Sequence, residues 1–139
     1  MGTVVRAVIS EKNKYWISKH RHYELKHFCL QYPSWKSKYN ALEQAKITMS
    51  TFEHQPGASG PNDITAAQAI KRARLAEKIS LIEDMVREAD PYLYDYILKA
   101  VTEGLSYTYL KTNMNIPCGK DMYYDRYRKF FWLLSEARD

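Results

Sequence analysis

The sequence is poor in residues that would cross-link it or anchor it in a membrane. Its two cysteines, Cys29 and Cys118, lie far apart and have neither metal-site nor redox-pair spacing. We therefore expect two reduced thiols in a cytoplasmic protein. No apolar run approaches the roughly 20 residues that a membrane-spanning helix needs. Residues 4–10 are too short and too interrupted for a secretion signal, so no membrane partner is expected.

Recognisable enzyme and metal motifs are also missing. The sequence contains no glycine-rich phosphate loop, no HExxH and no CxxC, and its carboxylates show no acid/base spacing. The closest approach to a metal motif is His20, His22, His27 and Cys29, but no second cluster supplies the remaining ligands of a tetrahedral site. We interpret these as surface or packing residues and expect no enzyme activity, no cofactor and no metal.

Glycine and proline are scarce, with five of each, and they divide the chain. Their densest cluster, residues 55–63, is the strongest linker signal. It separates a basic, aromatic N-terminal helical segment, residues 1–54, from a helix-rich region, residues 64–139. Residues 3–10 fit either a short strand or an arm.

Positive charge is concentrated near the N-terminus. The net charge is +5, and residues 1–49 hold nine Lys or Arg against three Glu. This imbalance favours an anionic partner such as nucleic acid, although a solvated basic surface has the same composition. The interleaved Tyr and Trp fit core packing or stacking on unpaired bases. The basic side chains between them could also clamp a DNA backbone or dock on RNA polymerase.

Helical periodicity predicts an all-α fold, a small helical bundle. We expect a first helix over residues 17–30, stopped by Pro33. Its apolar residues are Tyr23, His27 and Leu30 at helical spacing, joined by Ile17 and Phe28. A second helix is predicted from Trp35, capped by Ser34. A long helix should run from an N-cap at Asp63 or Thr65 to about Ala89, with an apolar stripe formed by Leu75, Ile79, Ile82, Val86 and Ala89. This long helix could pair with a second copy to form a homodimer, or it could pack at the centre of the monomer. Pro91 is predicted to open the next helix and Gly104 to end it.

Residues 106–134 show the order of a helix-turn-helix. Ser106 is a good N-cap for a short helix that reaches Met114. Asn115 tolerates the left-handed backbone of a sharp turn, Ile116 can fill the angle between the helices, and Pro117 prevents continuation. A second helix is then predicted to start near Gly119.

The second of these helices has two predicted faces. Tyr123, Tyr127, Phe130 and Leu134 recur at core spacing. The opposite side would then face the major groove of double-stranded DNA. The candidate DNA-binding residues of the whole motif are Ser106, Lys111, Lys120, Asp121, Tyr124, Arg126, Arg128 and Lys129.

Two stretches resemble a known family. "TEGLSYTYLKTNMNIPCGKDMYYDRYRKFFWLL" resembles the C-terminal region of the RinA/ArpU-type phage transcription regulators, mainly through the pattern IP-x-x-x-D-x-YY-x-x-R-x-x-F. "NKYWISKHRHYELKHFCLQYPSWK" resembles the N-terminal part of a Firmicutes phage and prophage group. The resemblance implies a DNA-binding activator of late phage genes in a bacterial host, with a helix-turn-helix similar to the promoter-reading domain of sigma factors. Those proteins often have Ser where this chain has Gly119.

Two other functions fit the same pattern. The chain could be a DNA-packaging adaptor that resembles a small terminase subunit, because those subunits also carry helix-turn-helix heads on a ring of long helices. A phage protein that binds and inhibits a host protein could reuse the scaffold, because a fold does not fix a function.

Overall fold

The computed structural model describes residues 11–53 and 65–139, and it is all-helical over those residues. The predicted all-α class is confirmed. The predicted strand or arm at 3–10, the linker at 55–63 and the Asp63 cap lie outside the described residues. The helices are α1 (Lys19–Leu30), α2 (Tyr32–Glu53), α3 (Ala66–Ala89), α4 (Tyr94–Glu103), α5 (Tyr107–Asn113) and α6 (Lys120–Ala137).

The described chain forms two compact units. One contains residues 11–31 and 81–139, and the other contains residues 32–53 and 65–80. In the first unit, α1 packs on α4 and α6, and α4 contacts α5. Its core is rich in fully buried large side chains, among them Leu25, Ile97, Leu110, Ile116, Tyr123, Phe130, Phe131 and Leu134. In the second unit, Arg72 forms an ion pair with Glu43, and the Lys78 ammonium lies 5.2 Å from the Trp35 ring centroid.

Helix α1 buries a different face from the predicted one. It begins after Ser18, whose hydroxyl accepts a hydrogen bond from the backbone N–H of Arg21. The buried residues are His22, Leu25, Phe28 and Cys29, whereas Tyr23, His27 and Leu30 are exposed. The prediction was right for Phe28 and wrong for Tyr23, His27 and Leu30. The reason is that Leu25, Phe28 and Cys29 form a competing helical stripe, which is the one that packs on α4 and α6.

Arginine side chains join α1 to the end of α6. The Arg21 guanidinium donates from Nε to the Ser135 hydroxyl and from a terminal nitrogen to the Ser135 carbonyl, both at 3.0 Å. The Arg138 guanidinium carbon lies 3.8 Å from the Phe28 ring centroid. Part of the N-terminal positive charge therefore serves the fold itself.

Helix α2 starts earlier than predicted. It begins at Tyr32, so Pro33 lies in its first turn and Ser34 lies inside the helix instead of capping it. A first-turn proline is tolerated because its missing N–H has no partner within a helix, and its fixed φ suits the helical backbone. The first helix does end at Leu30, with Gln31 as its C-cap.

The long helix α3 agrees with the sequence pattern. Its N-terminus forms a capping box, in which Thr65 Oγ1 accepts from the Gln68 N–H and Gln68 Oε1 accepts from the Thr65 N–H, each at 3.1 Å. The expected stripe from Leu75 to Ala89 is buried at every position. The helix is predicted well because its cap and its periodicity are both local signals.

The turn after α3 corrects another prediction. Pro91 does not open α4, which begins only at Tyr94. Asp90 is buried, and its Oδ1 accepts from the backbone N–H groups of Tyr92 at 2.9 Å and Leu93 at 3.2 Å. These bonds hold the chain in a turn for three residues, so the helix starts later. Gly104 ends α4 in the left-handed region, with φ 71°, as predicted.

None of the helices in the described ranges combines the length and the apolar character that crossing a membrane requires.

Candidate nucleic-acid interface

The corner between α5 and α6 is built by local signals. Ser106 caps α5, and its hydroxyl accepts from the Tyr109 N–H at 3.1 Å. Asn115 has φ 53°, which is the left-handed conformation that the turn requires. Ile116 is fully buried beneath the turn. Each of these placements agrees with the sequence analysis.

Hydrogen bonds fix the angle of this corner. The Tyr107 hydroxyl, on the first turn of α5, donates to the Cys118 carbonyl at 2.7 Å. The Ile116 N–H donates to the Leu110 carbonyl at 3.2 Å. Because these bonds connect the first residue and the middle of α5 to the turn, the two helices are held in a defined relation.

The inner side of α6 is an aromatic anchor. Tyr123, Phe130 and Leu134 are buried, and Tyr127 is half-buried. The ring centroids of Tyr107 and Tyr123 lie 5.5 Å apart. Desolvation by burial raises the pKa of Tyr123, with smaller contributions from neighbouring tyrosines, so its phenol stays neutral. The four expected core positions therefore face inward.

Tyr124 does not lie on the outward face. It is 8% exposed, and its ring packs edge-on against Tyr123 at 5.0 Å and Tyr127 at 6.0 Å between centroids. The expected outward placement was wrong because the buried arc of α6 is wider than one stripe. Tyr124, Tyr127 and Phe131 form a second stripe at i, i+3 and i+7.

Arg126 is also not presented freely to solvent. Its Nε donates to Asp90 Oδ2 at 3.1 Å, and a terminal nitrogen pairs with Asp125. The Asp90 side chain is 7% exposed and that of Arg126 is 33% exposed. The expected outward presentation of Arg126 was wrong, since the guanidinium connects α6 to the α3–α4 turn.

The outward surface lies at the start of α6. Lys120 and Asp121 are exposed, and Arg128 and Lys129 are half-buried. Gly119 occupies the N-cap position in an extended conformation and provides no side-chain cap. Because the first N–H groups of a helix lack intrahelical partners and carry partial positive charge, this end of α6 attracts anions.

The remaining two candidates lie on α5. Ser106 is exposed, although its hydroxyl is engaged in the cap. Lys111 is exposed, and its ammonium lies 3.5 Å from the Ile116 carbonyl, close to the corner. The structure thus brings Lys111 and Lys120 to the same turn region, one from each helix.

Two surface residues were missed from the sequence. Met122 is 44% exposed, and Asp125 is half-buried on the outer side of α6. Their signal is present in the helical wheel, because both lie opposite the Tyr123–Phe130 stripe.

The histidines and cysteines in the described part of the chain do not converge on a metal site. His22 is buried, and desolvation with the nearby Lys26 charge lowers its pKa to about 4. Burial raises the pKa of the Cys29 thiol, and burial with the Asp90 carboxylate raises that of Cys118. Within residues 11–53 and 65–139, no group of three or more His, Cys, Asp or Glu side chains is placed to hold an ion.

No protein-family model, curated protein or solved structure matches the chain.

Proposed function

We propose that the protein binds double-stranded DNA sequence-specifically as a phage-type transcription regulator, with α5 and α6 acting as a helix-turn-helix. The observation that supports this most directly is the division of α6 into two sides. Its inner side is fixed by buried aromatic rings, while Lys120, Asp121 and Met122 are exposed at its uncapped N-terminus. A recognition helix needs both a rigid support and an exposed N-terminal turn.

The exposed residues divide into phosphate-binding and base-reading groups. Lys120, Lys111 and the N–H groups at the start of α6 would contact phosphates. Asp121 has the chemistry to accept a hydrogen bond from the cytosine amino group, and Met122 can pack on a thymine methyl group. Arg128 and Lys129, further along α6, would approach the backbone. Arg126 and Tyr124 would support the helix from beneath.

The charge of this surface favours selective binding over tight non-specific binding. Asp121 and Asp125 both lie on the outer side of α6, and Arg126 is neutralised by its carboxylate partners. Carboxylates beside phosphate are repelled unless a base donor offsets them. We therefore expect a modest salt dependence, set by a few lysines, and a strong dependence on base sequence.

The test is a binding-site selection on genomic duplex DNA with the purified protein, followed by affinity measurements on the selected site. Lys120→Ala should weaken all sequences alike and reduce the slope of log affinity against log salt by about one. Met122→Ala and Asp121→Asn should instead change the preferred base, by about tenfold or more at one position.

A matched control is Lys99→Ala, which removes the same charge from α4, where Lys99 is paired with Glu103 on the surface. It should bind as the parent does. Failure to enrich any duplex would contradict the proposal, as would an unchanged site preference in both Met122→Ala and Asp121→Asn. If light scattering gave the mass of a large ring of copies, the DNA-packaging alternative would be favoured. If a pull-down recovered a host protein and no DNA binding were measured, the protein would instead be an inhibitor of that host protein.

A further inference from the structure

The first compact unit contains a cavity of about 440 Å³ that the proposed DNA surface does not use. It lies between α1 with the residues just before it, the end of α4 with the following loop, and the inner side of α6. This volume is in the range of pockets that hold small organic molecules. Every lining residue belongs to the same unit, so the cavity is a feature of that unit alone.

The wall of the cavity is aromatic and apolar. Trp16 and Tyr23 line it from α1 and the residues before α1, and Tyr123, Tyr127 and Phe131 line it from α6. Ala100 and Val101 close the side formed by α4. Aromatic rings on opposite walls favour a flat ring system, because offset stacking and edge contacts add to the burial of apolar area.

The charges around the cavity are of one sign. Lys19 and Lys26 both line the cavity, and they lie two helical turns apart on α1. The Lys19 ammonium is 5.9 Å from the Tyr23 ring centroid. Among the described lining residues there is no aspartate or glutamate. The field at the cavity is therefore positive and favours an anionic group on the occupant.

One polar group in the wall is unsatisfied. Tyr123 is 1% exposed, and its hydroxyl is buried without a hydrogen-bond partner. This oxygen has almost no accessible surface, so it lies behind the cavity wall and does not contact the occupant. The neighbouring His22 is also buried and lines the same space.

These features together define a ligand: the geometry points to a binding site for a small, flat aromatic carboxylate. Its rings would lie between Trp16, Tyr23 and the α6 tyrosines, and its carboxylate would face Lys19 and Lys26. The ligand would be held by aromatic burial and oriented by charge.

The site adjoins the corner described above. Ser106, the cap of α5, lines the cavity, as do Tyr123 and Tyr124 of α6. An occupant would therefore contact α6 and the cap of α5, and it would change DNA affinity through them. This regulatory consequence rests on the proposed function, but ligand binding itself does not, and it is measured without DNA.

The test uses three probes with the same naphthalene ring and a small substituent of different charge: 2-naphthoate, 2-naphthalenemethanol and 2-naphthylmethylammonium. Calorimetry should show the highest affinity for the carboxylate, a lower one for the alcohol and the lowest for the ammonium. The carboxylate should bind at least about tenfold more tightly than the alcohol, which corresponds to 1.4 kcal/mol. Amide chemical shifts should change at Ala100, Ser106 and Tyr123.

Three variants locate the site. Lys26→Gln and Lys19→Gln should each reduce 2-naphthoate affinity toward that of the alcohol, because each removes a positive charge beside the carboxylate. Ala100→Leu should fill the cavity and abolish binding. Lys99→Gln, on α4 but outside the lining, is the matched control and should bind as the parent does.

Several outcomes would overturn the inference. These are no binding of 2-naphthoate by the folded parent at millimolar concentration, equal binding of all three probes, or shifts confined to other residues. Parent-like affinity in Lys26→Gln would do the same without depending on a core substitution. A dimer that Ala100→Leu converts to a monomer would assign the cavity to a protein side chain instead. Ligand binding without DNA binding would contradict only the proposed function.

Discussion

The ion pair between Asp90 and Arg126 gives the sharpest test of how the corner is supported. In the sequence, Arg126 is a candidate base contact, whereas in the structure its Nε donates to the buried Asp90 carboxylate at 3.1 Å. These two roles predict opposite behaviour for Arg126→Ala. A supporting residue affects stability first, and a reading residue affects DNA affinity alone.

The expected magnitude follows from the burial of the two groups. Breaking a buried pair by removing one partner costs about 3–5 kcal/mol, whereas fully exposed pairs contribute about 0–1 kcal/mol. Asp90 is 7% exposed, but its carboxylate keeps two backbone N–H donors, and Arg126 is 33% exposed. We therefore expect Arg126→Ala to cost about 2 kcal/mol and to lower the melting temperature by about 4–8 °C.

The assay is a double-mutant cycle measured by urea denaturation. Arg126→Ala, Asp90→Asn and the double variant should give a coupling free energy of about 1–2 kcal/mol, because Asn keeps an acceptor for the backbone N–H groups but not the charge. Lys129→Ala, on the same helix, should change the free energy of unfolding by less than about 0.5 kcal/mol. At a temperature where Arg126→Ala is folded, its DNA affinity should stay within about threefold of the parent.

The reasoning would be refuted if Arg126→Ala melted with the parent but lost DNA binding. Arg126 would then be a base or phosphate contact, and its bond to Asp90 would contribute little to the fold.

Two further predictions concern pH and the cap of α5. The pKa of His22 is lowered to about 4, below its ordinary value near 6.5, so neutral His22 stabilises the fold above pH 6.5 and this contribution is lost as the pH falls toward 4. Between pH 7 and pH 4.5, the free energy of unfolding measured in urea should fall by about 2 kcal/mol less in His22→Phe than in the parent. If it fell equally in both proteins, the pKa of His22 would not be lowered by the fold. Ser106→Ala should cost about 1 kcal/mol in the free energy of unfolding, whereas Ser106→Asp should keep the cap but weaken DNA binding by adding negative charge. If Ser106→Asp bound DNA as the parent does, the start of α5 would lie away from the phosphates.

The parts of the fold that were predictable depend on residues close in sequence. Gly104, Ser106 and Asn115 each act within one turn of their own position, through a left-handed backbone or a cap. The stripe of α3 is equally local, since it depends only on helical periodicity. These signals gave the position of the corner and the approximate length of its helices.

The parts that were mispredicted depend on contacts between distant residues. Asp90 and Arg126 are 36 positions apart, and nothing in either neighbourhood indicates that they meet. The face of α1 was misjudged because two apolar stripes compete on it, and only packing on α4 and α6 selects between them. The cavity has no sequence signal at all, because it is formed by three separate segments.

The hydrogen bond from Tyr107 to the Cys118 carbonyl fixes the corner without involving the exposed residues at the start of α6. It lies on the inside of the corner and uses one hydroxyl and one backbone group, so it does not depend on which side chains occupy positions 120–122. Those positions can change without altering how the helices meet. A single scaffold of this kind could therefore acquire new binding preferences by substitution at its surface, while its geometry is inherited intact.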